Sequence, residues 1–184
     1  MFQRLLKKIG SGLDKYHIPY MVIGGQAVLL YGEPRLTKDI DITLGIGVDR
    51  LGDMRGLVDR LSLKYLTADV EAFVRDTMVL PVIEEKSGIR VDFIFSFSPY
   101  EKQAIERARD IPFGKTAVKF AALEDVIIHK MIAGRPRDIE DVQSVLLKNP
   151  RYDSHYIEKW LAEFDAALEK KYLEIFADLQ KKLK

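Results

Sequence analysis

The chain has 184 residues, 47% of them hydrophobic and 31% charged, with a formal net charge of +1 at pH 7. That length accommodates one domain, or one domain with a helical appendage, and the apolar fraction is ample for a core. The charge balance excludes a strongly basic nucleic-acid clamp but not a local patch, and the absence of cysteine excludes disulfides and thiolate metal sites.

Residues 2–16 predict an amphipathic helix with Phe2, Leu5, Leu6, Ile9 and Leu13 on one stripe, weakened in its second half by Gly10 and Gly12. Pro19 marks the turn into a strand over 20–23. A helix over 25–31 ends at Gly32, and Pro34 bars its extension. A strand over 39–44 runs into the Gly-punctuated stretch 45–47. From Asp49 to about Leu63 the residues Leu51, Met54, Leu57, Val58 and Leu61 fall at helical spacing, and 69–75 predicts a further short helix. Strands over 77–84 and 89–96 flank Lys86-Ser87-Gly88, a hairpin signal. Pro81 inside the first of them predicts an edge or a bulge. Ser98 as N-cap and Pro99 at the first helical position open a helix over 99–109. A strand over 116–120 precedes helices over 122–132 and 138–147, and Pro150 closes the last. Residues 153–183 read as one or two helices. Their apolar positions Leu168, Tyr172, Ile175, Phe176, Leu179 and Leu183 serve either packing on the chain's own domain or a homodimer or partner surface.

Strands and helices alternate with at least one hairpin. The expected fold class is therefore α/β (α+β): a mixed β-sheet flanked by helices, with residues 1–150 as the main domain and 151–184 as a C-terminal helical extension packed on it. The start Met-Phe-Gln-Arg-Leu-Leu-Lys-Lys lacks the apolar core of a secretory leader. No apolar run approaches the ~18 residues of a membrane span. A cytoplasmic location without membrane association is the expectation. His17, His129 and His155 show no zinc-ligand spacing.

The chemistry concentrates in residues 21–44. A short apolar strand meets Gly24-Gly25, an apolar helix follows, and Asp39 and Asp41 then sit one residue apart in a second apolar strand. Alternate strand residues face the same way, so the two carboxylates project together while Ile40 and Ile42 face the other side. Paired acids repel, and burying unpaired charge costs several kcal/mol or more. A divalent cation holding phosphates makes the arrangement favourable. A third acid, Asp92, alternates with Val91, Phe93 and Phe95 in the strand 89–96. Hard carboxylate ligands suit Mg²⁺ or Mn²⁺. The competing structural roles are solvent-facing acids paired with Lys38 or Arg35, and Asp92 paired with Arg90. Gly24-Gly25 is either an ordinary strand-to-helix turn or a place where backbone N–H groups approach phosphate.

Ile23-Gly24-Gly25, Asp39-Ile40-Asp41 and Asp92, in that order, resemble the nucleotidyltransferase superfamily related to DNA polymerase β. Within it, Arg35-Leu-Thr37-Lys-Asp39-Ile-Asp41 is similar to the Arg-x-Thr-x-Asp-x-Asp of AbiEii-type and minimal nucleotidyltransferases of toxin–antitoxin and abortive-infection systems. The block Lys130-Met-Ile-Ala133-Gly-Arg135-Pro-Arg137-Asp138-Ile-Glu-Asp141 resembles their Lys-x-x-Ala…Arg-x-Lys-Asp-x-x-Asp, with Arg137 where lysine is frequent. The resemblance covers roughly residues 16–147. It implies transfer of an NMP from an NTP such as ATP to an RNA (tRNA), protein or small-molecule acceptor, with pyrophosphate released. It assigns Asp39, Asp41 and Asp92 to catalysis and metal binding, and Gly24, Gly25, Arg35, Thr37 and Lys130 to the nucleotide. Taken alone, Lys130 also reads as a snorkelling lysine at a helix end, Arg35 and Thr37 as residues that orient Asp39, and Asp138 with Asp141 as a helix cap. A nucleotide-binding module without turnover, or a toxin–antitoxin interaction module, is the alternative.

Overall fold

The alternating strand pattern becomes one mixed sheet in the computed structural model, which describes residues 1–96 and 98–183. Its strands are β1 (Tyr20–Ile23), β2 (Asp39–Leu44), β3 (Lys64–Tyr65), β4 (Val79–Glu84), β5 (Ile89–Phe95), β6 (Arg109–Phe113) and β7 (Thr116–Phe120). They lie in the order β3-β4-β5-β2-β1-β7-β6. β1 runs antiparallel to β2 and parallel to β7, and β2 runs parallel to β5. The β4–β5 and β6–β7 pairs are hairpins.

Register decides what each face carries. Val22, Ile42, Phe93 and Leu80 form one row across four strands, and all four are fully buried. Each such side chain contributes up to about 1.5–3 kcal/mol on burial. The next row, on the opposite face, is Ile23, Asp41, Asp92 and Pro81. The period of two thus sends the apolar set into the core and the acids to the other side.

The chain divides into two compact units. The first, Met1–Gln26 with Thr37–Ala121, holds the whole sheet. It also holds α1 (Phe2–Lys15), a 3-10 turn at Val48–Arg50, α3 (Leu51–Arg60), α4 (Val70–Thr77) and α5 (Pro99–Glu106). Leu5, Leu6, Ile9 and Leu13 of α1 are buried. The two glycines that lower the intrinsic propensity of α1 are contact points. A Cβ on Gly12 would stand 2.3 Å from Leu57 Cδ1, and one on Gly10 would stand 2.7 Å from the Tyr20 hydroxyl. Packing against α3 and β1 therefore outweighs the helix-propensity cost of about 1 kcal/mol per glycine. Burial drives the Tyr20 phenol up to about 12, against the backbone N–H of Lys119, which donates to its oxygen.

α2 (Gly24–Tyr31) begins in the first unit and continues into the second, which comprises Ala27–Leu36 and the chain from Ala122 onward. The second unit is helical: α6 (Leu123–Ala133), α7 (Pro136–Lys148), α8 (Ser154–Leu168) and α9 (Tyr172–Lys182). α8 packs along α6, and α9 packs on both. Phe176 and Leu179 of α9 are buried in that contact. Asp165 turns the chain between α8 and α9 by accepting from the backbone N–H groups of Tyr172 and Leu173.

Beyond shifts of a residue or two at element ends, three features differ from the sequence expectation. The helix expected over 99–109 stops at Glu106, and Arg109–Phe113 forms edge strand β6. Its charged and proline-interrupted pattern carries no strand periodicity, and only pairing with β7 reveals it. β3 is two residues long and equally silent in sequence. Pro81 lies in an interior strand, between β3 and β5, rather than at an edge. Its carbonyl accepts from Leu66 N beyond the end of β3, so its missing N–H faces the side where that short neighbour has run out.

Candidate active site

Three acids share one face of the sheet. Asp41 stands opposite Asp92 in the parallel β2–β5 pair, and Asp39 stands opposite Arg90. Asp39, Asp41 and Asp92 are each half-buried, in strands whose alternate residues are fully enclosed. On the other side, Asp41 is in register with Ile23, the residue before Gly24.

Gly24 is fixed by two demands. Its φ of +62° lies in the left-handed region, and a Cβ there would stand 2.0 Å from Asp41 Oδ2. The Asp41 carboxylate thus occupies the space that any other residue's side chain would need. The strand-to-helix turn and the acid are one construction, which explains why Gly24 and the Asp pair belong together. Gly25 is the next residue of α2 and is buried. Thr37, two residues before Asp39, is buried, and its hydroxyl accepts from Gln26 Nε2 at 2.6 Å. Gln26 is the site residue that sequence reasoning passes over. Its only signal is its place after Gly24-Gly25.

Arg90 is the counter-charge of this face. Its Nε donates to Asp92 Oδ1 at 2.9 Å. Asp92, then burial in the opposite sense, then Asp39 and Asp41 act on its guanidinium, with a net rise of its already high pKa. All three acids therefore lie within electrostatic reach of one side chain. Among the described residues no three His, Cys, Asp or Glu side chains converge on a common metal position. The donor set still suits a hard divalent ion. Two carboxylates sit at adjacent register positions with a third two residues along, and one of them rests in a cradle that only glycine leaves open.

Arg35 and Lys130 lie in the second unit, in an alternating chain of charge. Arg35 Nε approaches Asp141 Oδ1 at 2.8 Å, and its terminal nitrogen donates to Asp141 Oδ2 at 2.9 Å. Lys130 Nζ lies 2.9 Å from Asp141 Oδ2 and 2.6 Å from Asp138 Oδ1. Arg135 Nε completes the series at 2.6 Å from Asp138 Oδ2. Lys130, Asp138 and Asp141 are 6%, 2% and 5% exposed, too enclosed for a snorkelling surface lysine. Asp138 also accepts from the backbone N–H of Arg135. It therefore helps to cap α7 from the third helical position, because the helix starts at Pro136 and not at residue 138 as expected. Two of the three ammonium donors of Lys130 are committed to aspartates. The loop before Thr37 is tied to the same helix: Ser144 Oγ accepts from Glu33 N, Lys148 donates to the Gly32 carbonyl, and Asn149 donates to that of Tyr31.

Burial pushes the Asp138 carboxyl up, but its hydrogen bonds from Arg135 and Lys130 together hold it below the ordinary value. A carboxylate with a depressed folded-state pKa stabilises the fold above its unfolded value, about 3.9, and that contribution is lost as pH falls through the lower folded value. Asp138→Asn is expected to destabilise the protein by roughly 1–3 kcal/mol at pH 7, since it removes a buried charge partner of Lys130 and Arg135 while Asp141 still holds the Lys130 ammonium. The gap between variant and parent should narrow below about pH 4. Urea unfolding at pH 7 and pH 3 measures both. An equal gap at the two pH values would contradict the linkage.

A cavity of about 370 Å³ in the first unit is lined by Val48, Asp49, Leu51, Gly52, Arg55, Glu71, Val74 and Arg75, and by none of the residues above.

The fold has solved counterparts. The antibiotic-resistance factor ANT(2'')-Ia, determined in complex with adenylyl-2''-tobramycin, matches with a TM-score of 0.61 at 17% identity, over 90% of this chain and 98% of its own. An antigenic nucleotidyltransferase-like protein from Paracoccidioides brasiliensis matches with a TM-score of 0.59 at 15% identity, over 98% and 91%. No curated protein matches by sequence. At these identities the likeness establishes the mixed α/β fold of nucleotidyltransferase structures, with its seven-stranded sheet. The sequence pattern of one family extends over residues 1–179, nearly the whole chain, and by it this protein belongs to the family described as nucleotidyltransferase of unknown function (DUF6036).

Proposed function

We propose that this chain transfers an NMP from an NTP to an acceptor hydroxyl with release of pyrophosphate, at the face carrying Asp39, Asp41 and Asp92. The observation that carries this reading is the apposition of Asp41 and Asp92 beside a turn that admits only glycine. Asp39 and Asp41 would hold Mg²⁺ or Mn²⁺, and Asp92 would complete the set. When bound, such ions supply charge neutralisation at the phosphates and lower the pKa of the acceptor hydroxyl. The chain's own residues do the positioning. Gly24 and Gly25 offer backbone N–H groups at the start of α2 to the terminal phosphates. Asp92 takes the proton of the attacking hydroxyl. Thr37, held by Gln26, steadies the loop that leads into Asp39. Lys130 and Arg35 are proposed for the triphosphate on the sequence resemblance alone; in the structure both pair with Asp141, and Lys130 also with Asp138. Alignment and charge compensation then account for most of the acceleration.

Within the family we place the chain near the AbiEii-type, toxin–antitoxin branch, on its Arg35-x-Thr37-x-Asp39-x-Asp41 and its Lys130–Asp141 block. The acceptor is RNA such as tRNA, a protein, or a small molecule; the neighbour that carries adenylyl-2''-tobramycin favours a hydroxyl-bearing small molecule and ATP as donor. Incubation with each α-³²P NTP, Mg²⁺ and total lysate, followed by fractionation, identifies both. Absence of label in every fraction with every NTP would refute the transferase reading.

The Arg90–Asp92 pair favours a second reading, a nucleotide-binding module without turnover. Asp92→Asn separates the two. In the enzyme it leaves Mg²⁺-NTP affinity within a few fold and lowers transfer by about 10²-fold or more, the scale for loss of a positioned acid–base group. Equal labelling by Asp92→Asn and parent would remove Asp92 from the mechanism.

A further inference from the structure

Arg90 has no part in the nucleotidyl-transfer reading above, yet it holds Asp92, stands opposite Asp39 and lies within electrostatic reach of Asp41. It precedes Asp92 by two residues on β5, so both project from the same face of the sheet. Its register partner is Asp39, and the register partner of Asp92 is Asp41. The guanidinium donates through Nε to Asp92 Oδ1 at 2.9 Å. Asp92 is only 17% exposed, whereas Arg90 is 52% exposed and has room to leave. A guanidinium cannot shed its charge in this environment and makes strong hydrogen bonds to carboxylate. In the metal-free protein Arg90 is the cation paired with Asp92 on this face.

We propose that Arg90 is a built-in stand-in for the divalent ion: it holds Asp92 in the metal-free protein, competes with the ion for that carboxylate, and is released toward the anionic triphosphate when metal and nucleotide arrive together. This rests on the nucleotidyl-transfer reading. Two consequences follow from competition. Metal alone binds weakly, because Asp92 must first give up a partner. Metal and nucleotide bind cooperatively, because the triphosphate offers the displaced guanidinium a new one. By linkage each ligand raises affinity for the other by the same factor. A premature ion, without substrate, is thereby disfavoured.

The test is Mn²⁺ binding followed by electron paramagnetic resonance, on the parent, Arg90→Gln, Arg90→Lys and Asp41→Asn. Arg90→Gln is expected to bind Mn²⁺ alone roughly fivefold to tenfold more tightly than the parent, the range between an exposed ion pair and a charge-assisted hydrogen bond. Arg90→Lys, which keeps the charge but not the planar Nε donor, is expected to fall between them. With saturating ATP the advantage of Arg90→Gln should vanish or reverse. In metal-free, low-salt buffer Arg90→Gln should melt below the parent, and saturating Mn²⁺ should close that gap. Equal or weaker Mn²⁺ binding by a folded Arg90→Gln overturns this inference while leaving nucleotidyl transfer standing. Mn²⁺ binding by the parent that survives Asp41→Asn puts the ion elsewhere and overturns both.

Discussion

Replacing Asp39 and Asp41 together by asparagine is expected to abolish Mg²⁺-dependent NTP binding without unfolding the protein. Both side chains are half-buried on the face opposite the core row of Val22, Ile42, Phe93 and Leu80. Asparagine keeps the shape and removes two like charges beside Asp92, so the metal-free melting temperature should hold or rise. The empty acid face repels a triphosphate, and only a divalent ion reverses the sign of that interaction. Calorimetry in Mg²⁺ and in EDTA reads the effect directly. The parent should bind only with the ion, and the double variant should lose at least about 10²-fold, the scale on which removing a charge-stabilising group of the site is felt. Parent affinity that is the same in Mg²⁺ and EDTA would sink the acid cradle as a nucleotide site.

Gly24→Ala is expected to be the most damaging single methyl in the chain. A left-handed backbone costs a non-glycine residue roughly 1–2 kcal/mol. The new Cβ would also meet three atoms of Asp41, Oδ2 at 2.0 Å, Cγ at 2.9 Å and Cβ at 3.1 Å. A contact with the root of a short side chain cannot be relieved by swinging its tip. Either Asp41 turns away from Asp92 or β1 parts from β2. The expected result is a loss of about 2 kcal/mol or more in stability together with loss of metal binding. Gly52→Ala is the matched control. Its Cβ meets nothing within 4 Å, and it lies inside α3. That change is expected to be neutral or to stabilise by up to about 1 kcal/mol. Thermal melts of both variants decide the matter. A Gly24→Ala protein with parental melting temperature and Mn²⁺ affinity would show that the turn is not built around the acid.

The central strands were legible because their borders are chemical. Pro19 and Gly24 bracket Tyr20–Ile23, and the acid alternation marks Asp39–Leu44. The Ser98 N-cap was equally plain, and its oxygen accepts from Glu101 N. β3 and β6 were not, since their strand character comes from a partner and not from their own pattern. The same limit applies to the charges. Arg35 meets an acid 106 residues away, and Lys130 meets acids 8 and 11 residues on. Each looked like a lone cation on its own segment, so the alternating network was invisible until the chain folded. From the sequence Arg90 reads only as a neutraliser of Asp92. Its relation to Asp39 and Asp41 depends on the parallel register of β2 with β5, which local sequence does not encode. The nucleotidyltransferase family was readable from motif order, because Gly24-Gly25, Asp39-x-Asp41 and Asp92 stand in one chemical sequence.

The chain of alternating charge from Arg35 through Asp141, Lys130 and Asp138 to Arg135 gives the second unit an uncommon dependence on heat. Ion hydration carries a strongly negative entropy, so the cost of keeping buried charges away from water falls as temperature rises, while the apolar contribution levels off. Three of the five members are nearly sealed from solvent. Their share of the unit's stability therefore grows on warming. Added salt, which reaches mainly the exposed Arg135 end, removes little of it.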